Sequence, residues 1–387
     1  MRKLTIVYHQ AGGGHRSAAD ALQATLSKQE HPWDVSRLDI QELLDPLDLI
    51  RRATGWRIQD TYNLILRRGW TRFTPQLLVI LQATIRIYHR PIVKALRAHW
   101  AQHPADLVLS VIPHFNREIA GSLRSDEAGT PFVTLITDLA DYPPHFWIER
   151  ESEYIIAGTE RARQQALAIG HPEDHIFLTS GMILKPRFYE KMFVDRVAER
   201  KRLGLELDCP TGIVLFGGHG SKVMVDIARK LSEARSGVQL ILICGHNQKL
   251  AAALKTLKTT KPILVVGFAQ NVEYYMALAD FFIGKPGPGS ISEALQFHLP
   301  VIVESNSATL PQERYNAEWV TENGYGIVVP SFKKIAAAVQ RLLEPASFAD
   351  FRLNANLYRN QALFEVSSIL EQCAEHRNTA HKCQAAV

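Results

Sequence analysis

Twice along this chain, short runs rich in Val, Ile and Leu alternate with longer segments of helical periodicity. That alternation confines the fold to parallel α/β sheets with right-handed crossovers. In the first half the runs are Leu4–His9, Val35–Ile40, Leu107–Ile112, Phe132–Thr137 and Tyr154–Ala157. In the second they are Gly212–Phe216, Gln239–Cys244, Ile263–Val266, Phe281–Gly284 and Val301–Glu304. With 387 residues, the chain exceeds the roughly 250–300 at which one core stops growing, so two domains are expected. Residues 1–180 read as a first domain, 181–210 as a linker, 211–345 as a second domain, and 346–387 as terminal helices and a tail. The stretch from about 45 to 100 has helical periodicity and little strand character, and reads as an insertion into the first domain.

Every expected strand is followed by a turn, and three of those turns are unusually rich in glycine. The first is His9-Gln10-Ala11-Gly12-Gly13-Gly14-His15-Arg16-Ser17, with Ser17 or a neighbour placed to cap a helix over Ala18–Leu26. The second is Phe216-Gly217-Gly218-His219-Gly220-Ser221-Lys222. The third is Gly284-Lys285-Pro286-Gly287-Pro288-Gly289-Ser290, where the prolines and glycines point to Ser290 as the helix N-cap. A strand-to-helix turn exposes backbone N–H groups at the positive end of a helix, which suits an anion. A tight turn without a ligand is the alternative for each loop taken singly. Neither the dinucleotide pattern GxGxxG nor the phosphate loop GxxxxGK[ST] is met. Loops of this kind at the carboxyl ends of strands place a ligand between two sheets.

Composition narrows the setting. No apolar run approaches the roughly 18–20 residues that span a bilayer. The opening MRKLTIVYHQ is too short in its apolar part for a signal segment and reads as a first strand. The four cysteines show neither a CxxC pair nor zinc spacing, which implies a reduced compartment and no metal centre. The net charge of +5 is unevenly placed: residues 51–100 hold ten Arg or Lys and one acid, Asp60. Arg is interleaved there with Trp56, Tyr62, Trp70, Phe73, Tyr88 and Trp100. That mixture suits a segment lying on an anionic membrane, each cation contributing about 1 kcal/mol. Arg51, Arg52, Trp56, Arg57, Arg67, Arg68, Trp70, Arg72 and Phe73 are the candidate contacts. A helical insertion with core aromatics and solvated arginines is the plainer alternative. No RNA-binding motif accompanies the charge, so nucleic acid is not an expected partner.

The third loop, KPGPGSISEAL, is preceded by GFAQNVEYYMALAD and followed by PQERYNAEWVTENGYG. Together they resemble the monogalactosyldiacylglycerol synthases and processive diacylglycerol glycosyltransferases of glycosyltransferase family 28. GGGHRSAADAL and TDLADYPPHFW are similar to the corresponding segments of that lipid branch, and the resemblance covers about Leu4–Val329. It implies a GT-B fold, two facing Rossmann-like domains with a cleft between them. It also implies inverting transfer of galactose or glucose from a UDP-hexose to diacylglycerol, with no metal and no cofactor beyond the sugar nucleotide. The setting would be cytoplasmic, peripheral on the inner face of the plasma membrane. On the matching positions, Gly218 and Gly220 would lie at the donor phosphates, and Asn247 and Phe268 near the uracil. Gly287, Gly289 and Ser290 would hold the diphosphate, with Glu293 on the ribose. Gln312 and Glu313 would meet the sugar hydroxyls. Gly12, Gly13 and Gly14 would form the acceptor loop, with Asp138 and His145 lining the first domain's side of the cleft.

Inverting transfer needs a base for the acceptor hydroxyl and stabilisation of the departing nucleotide. His15, beside the glycines, is the first candidate base, because imidazole titrates near 6.5. Asp138 is an alternative base, or the group that orients His15; His145 is a third candidate. The helix start at Ser290 and the Lys285 ammonium would meet the leaving charge. A polyprenol-linked acceptor and a non-catalytic nucleotide-sugar sensor are the competing readings.

Overall fold

All ten expected strands form, and two edge strands join them. The computed structural model describes residues 1–10, 13–29, 33–47, 74–124 and 129–384. The strands of the first half are β1 (Lys3–Tyr8), β2 (Asp34–Asp39), β3 (Leu107–Ser110), β4 (Phe132–Leu135), β5 (Tyr154–Ala157) and β6 (Ile176–Leu178). Those of the second are β7 (Thr211–Leu215), β8 (Gln239–Ile243), β9 (Ile263–Val266), β10 (Phe281–Gly284), β11 (Val301–Glu304) and β12 (Gly326–Val329). Both sheets are wholly parallel, in the orders β2-β1-β3-β4-β5-β6 and β12-β11-β10-β7-β8-β9. The chain divides into two units: Met1–Pro186 with Leu310–Gln312 and Asn360–Val387, and Arg187–Thr309 with Glu313–Arg359.

Parallel strands are covered on both faces, which is why their side chains are almost uniformly apolar. In the first unit Val7, Val108 and Phe132 pack against Ile92, Leu96 and Trp100 of the helix His89–Gln102 and Ile119 of the helix Asn116–Leu123. Trp100 is core: it is 5% exposed and donates its indole N–H to Ser122 Oγ at 2.8 Å. It is therefore no membrane contact. In the second unit Val214, Leu240, Leu242 and Ile283 pack against Met224, Ile227 and Leu231 of the helix Val223–Glu233. The final helix, Ala362–Gln384, returns to the first unit. Its Leu363, Val366, Leu370 and Cys373 are fully buried, and the Glu365 carboxylate accepts the Ser180 N–H at 2.7 Å.

Two helix starts differ from expectation. The first helix begins at Gly14, not Ala18, with Gly13 as its cap at φ 80°, a left-handed conformation that favours glycine. The helix after β10 begins at Pro288, with Gly287 as its cap, so Ser290 lies inside the first turn. Proline fits the first helical position because its missing N–H would have no partner there.

The base of the second sheet is tied by charge. Asp280 accepts from Arg196 and Arg200, each at 2.8 Å, and from the Thr211 N–H at 2.9 Å. Arg200 is 7% exposed and also donates to the Leu278 carbonyl at 2.7 Å. Removing one partner of such a pair leaves a buried charge uncompensated, at a cost of about 3–5 kcal/mol. Asp280→Ala is expected to destabilise the protein by that amount in urea unfolding, whereas Asp226→Ala, whose exposed pair with Arg229 spans 3.1 Å, should change it by less than about 1 kcal/mol.

Candidate active site

In a doubly wound sheet the ligand crevice opens where the strand order reverses. In the first unit that point lies between β1 and β3, and in the second between β7 and β10. The loops leaving those strands carry the residues singled out from the sequence.

In the first unit, His15 stands in the opening turn of the helix Gly14–Leu26, one residue beyond the glycines. Its Nδ1 lies 2.9 Å from the Val111 carbonyl, just past β3, and 3.0 Å from Thr137 Oγ1, just past β4. A carbonyl can only accept, so Nδ1 carries the proton and Nε2 presents a lone pair. Burial pushes the imidazole down to about 4, so His15 is neutral at physiological pH. The His9 ring lies edge-on at 4.4 Å and Trp147 at 5.6 Å. Trp147 is fully buried and donates its indole N–H to Asp138 Oδ2 at 2.9 Å. Asp138 thus anchors the Trp147 wall beside His15, while Val111 and Thr137 hold the His15 ring.

His145 sits elsewhere in this loop. It is exposed, at φ 63°, and its N–H donates to Asp141 Oδ2 at 3.1 Å. Asp141 also accepts the Trp147 N–H at 2.6 Å, so it folds the Pro-Pro-His-Phe-Trp segment into place. Burial raises that carboxyl to about 6. His114, which the sequence reading passed over, follows β3 at φ 73°; its ring packs edge-on against Phe146 at 4.4 Å. A non-glycine residue in this conformation is uncommon. Nothing in the local sequence signals it beyond Pro113 before it and Asn116 after it.

Of the glycines, Gly13 and Gly14 would each offer a Cβ open space; Gly13 is required by its φ, and Gly14 is not. Gly12 lies outside the described residues. So do Arg51, Arg52, Trp56, Arg57, Arg67, Arg68, Trp70, Arg72 and Phe73. Beside them, the described helix Thr74–Ile87 turns Val79, Ile80 and Ile87 to solvent, 65%, 61% and 78% exposed.

In the second unit the loops after β7 and β8 come together. Gly245 accommodates Gly218 so closely that a Cβ would lie 2.1 Å from its carbonyl, and the His246 N–H donates to that same carbonyl at 2.9 Å. Asn247 has structural duties: it caps the helix Gln248–Lys255 through Leu250 at 3.0 Å and donates to the His219 carbonyl at 3.2 Å. Phe268, 55% exposed, stacks on His246 with centroids 4.0 Å apart and planes 18° apart, a ready platform for a planar base. Gly220 is held at φ 57°, whereas Gly218 has ordinary backbone and open space at its missing Cβ. Gly289 is equally open. Glycine at these two places leaves room for a close ligand rather than serving the turn.

The loop after β10 is fixed by Asn316, whose amide donates to the Pro286 carbonyl at 2.7 Å. From Gly287 the helix Pro288–Gln296 directs the free N–H groups of Gly289 and Ser290 outward, with Glu293 in its second turn. Lys285 and Glu313, assigned to phosphate and sugar respectively, meet each other at 2.8 Å. Gln312 adjoins Glu313 in the turn Pro311–Glu313.

Residues 213–372 match the glycosyltransferase family 28 C-terminal domain. The second half of the chain thus resembles the donor-side domain of that family. A probable monogalactosyldiacylglycerol synthase of Nicotiana tabacum, named chloroplastic, is 29% identical over 99% of this chain and 72% of its own. Monogalactosyldiacylglycerol synthase 1 of Arabidopsis thaliana, also named chloroplastic, is 27% identical over 98% and 72%. Acinetobacter baumannii MurG shares the fold, with a TM-score of 0.64 at 13% identity, over 96% of this chain and 100% of that one. The two parallel six-stranded units are a GT-B fold. The expected setting on the inner face of the plasma membrane is corrected: the matching relatives are chloroplastic proteins.

The state of His15 sets a pH dependence. Its folded value lies below the ordinary one, so the basic form persists as pH falls through 6.5 and is lost only near 4. The acid limb of kcat/KM is therefore expected at about pH 4, well below the roughly 6.5 of free imidazole. A limb at the ordinary imidazole position would show that His15 is not the neutral, enclosed group described.

Proposed function

We propose that this protein is a family 28 glycosyltransferase, inverting and metal-independent, that moves a hexose, galactose foremost, from UDP to diacylglycerol at a membrane surface. The observation that carries the chemistry is the His15 ring, whose Nδ1 is committed to Val111 and whose Nε2 is left as a base. Support for the acceptor and for galactose comes from the monogalactosyldiacylglycerol synthases that match nearly the whole chain.

In this reading the acceptor hydroxyl gives its proton to His15 Nε2 as its oxygen attacks the anomeric carbon. The bond to the β-phosphate breaks and UDP leaves with the electron pair. Uracil rests by the Phe268–His246 pair, the diphosphate against the N–H groups of Gly289 and Ser290, and the ribose at Glu293. Backbone dipoles at a helix start meet the leaving charge without a cation. Lys285 supplements them once sugar hydroxyls engage Glu313 and loosen the 2.8 Å pair.

The membrane part rests on composition and on one helix. Val79, Ile80 and Ile87 form an outward apolar stripe beside exposed Arg86 and Arg90. An amphipathic surface of this kind inserts its apolar face among acyl chains and sets its cations on anionic headgroups.

Two measurements test this. Protein incubated with diacylglycerol in phosphatidylglycerol vesicles, EDTA and either UDP-galactose or UDP-glucose should yield a hexosyl-diacylglycerol by mass spectrometry, while His15→Ala should lose turnover by at least about a hundredfold and still bind UDP. No glycolipid from either donor, with UDP binding intact, would overturn the acceptor assignment. In flotation assays, Val79→Ser combined with Ile80→Ser should weaken vesicle binding, each lost apolar side chain removing about 1.5–3 kcal/mol at full burial. Unchanged flotation would remove this helix from the membrane surface.

A further inference from the structure

Three side chains hold Trp147, each at a different polar group. Asn116, fully buried, donates to its carbonyl at 2.8 Å. Asp138 accepts its indole N–H at 2.9 Å, and Asp141 accepts its backbone N–H at 2.6 Å. Asp141 is 2% exposed, and its second oxygen takes the His145 N–H at 3.1 Å. One carboxyl thus spans the bend from His145 to Trp147 and keeps His145 at φ 63°, a conformation that is costly for a residue other than glycine. Asp141 is fixed in turn by Gln165, on the helix Glu160–Ile169. The Gln165 amide accepts the Asp141 N–H at 2.8 Å and donates to the Asp141 carbonyl at 2.9 Å. The indole held in this way lies 5.6 Å from the His15 ring, against which the His9 ring packs at 4.4 Å.

We propose that Asp141 is a positioning residue for the transfer site: by fixing Trp147 beside His15 it keeps that imidazole shut off from water. This rests on the reading of His15 as the base. Asp141 acts through Trp147. A wall held in place keeps His15 in its basic form at physiological pH, and a dry crevice leaves the lipid hydroxyl, not water, to take the hexose. The titratable groups around these residues are His9 and His114 beside His15, Asp138 on the indole, and His145 beside Asp141. Arg161, on the helix that carries Gln165, meets the Tyr142 ring. Burial raises the Asp141 carboxyl to about 6. A carboxyl keeps acceptor lone pairs on both oxygens with or without its proton, so the clamp survives that titration. An amide differs: its NH2 cannot accept, so Asp141→Asn leaves one of the two N–H groups without a partner.

Asp141→Asn and Gln165→Leu test the link from two sides, the second leaving the carboxyl in place. The His15 imidazole is followed by NMR in protein labelled at histidine, its signal identified by its absence from His15→Ala. Near-ultraviolet circular dichroism shows whether each variant keeps its fold. In the unaltered protein His15 is expected to titrate at about 4. In both variants the titration should move up by roughly one pH unit or more, toward the roughly 6.5 of free imidazole, and the acid limb of kcat/KM should follow. Loss of a carboxylate charge alone sends an imidazole the other way, because a nearby negative charge favours its protonated form. An upward move therefore reports an opened wall. The kcat should fall roughly tenfold, while the KM for the UDP-hexose is kept. A residue that serves stability alone would leave the His15 titration where it was. His15 still at about 4 in the folded variants overturns the proposal. Should Asp141→Asn fail to fold, Gln165→Leu decides alone. If the NMR titration moves and the kinetic limb does not, the link from Asp141 to His15 stands and the reading of His15 as the base falls.

Discussion

A parallel sheet sends the carboxyl ends of all its strands to one edge, and everything at this protein's two sites depends on that. The strand order reverses once in each unit, between β1 and β3 and between β7 and β10. There the departing loops diverge and leave a crevice instead of a covered edge. The loops after β1, β7 and β10, the strands that flank these points, include the glycine-rich ones, so the most permissive backbone stands at the widest gap. The two units use the same geometry for different ends. The first fills its crevice with rings: His9, His15 and Trp147. The second offers backbone N–H groups and absent side chains, at Gly218, Gly289 and Ser290.

The electrostatics follow from that division. Burial disfavours the charged form of these imidazoles, so His9, His15 and His114 all titrate below their ordinary range, and the charge of His15 adds to the effect at His9 and His114. Nearby carboxyls move the other way: burial lifts Asp141 to about 6 and Glu149 to about 7. The first unit thus holds bases that stay neutral and acids that ionise late, close together at one sheet edge. The second unit shows little of this, because backbone dipoles do not titrate.

Much of this was legible in the residues, and the failures share a cause. The ten strands were visible because parallel strands are apolar on both faces. The missed pair, β6 and β12, are three- and four-residue edge strands that carry too little pattern to separate from loop. His15, Gly218 and Gly289 were legible because a run of glycines directly after a strand gives up more backbone order than a plain turn needs. The helix cap that Asn247 provides could not be read from its neighbours in sequence. That the Asp138 carboxylate accepts from Trp147, nine residues on, is likewise visible only in the fold. Ser290 was taken as a cap because proline seemed to forbid helix, when Pro288 in fact opens it. His9 and His114 went unnoticed because an isolated histidine has no pattern; only the fold brings three of them to one edge.

The final helix carries a consequence for how the protein is made. Residues Asn360–Val387 belong to the first unit, so the second unit is an insertion in the first, and the first is built from both ends of the chain. During synthesis the second unit's residues all emerge before the first has its closing helix, against which the helix Gly14–Leu26 packs. Domains fold as units while the ribosome adds about 5–20 residues each second. The half synthesised first must therefore wait, its helix Gly14–Leu26 without that packing partner, until the half that follows it has already been made.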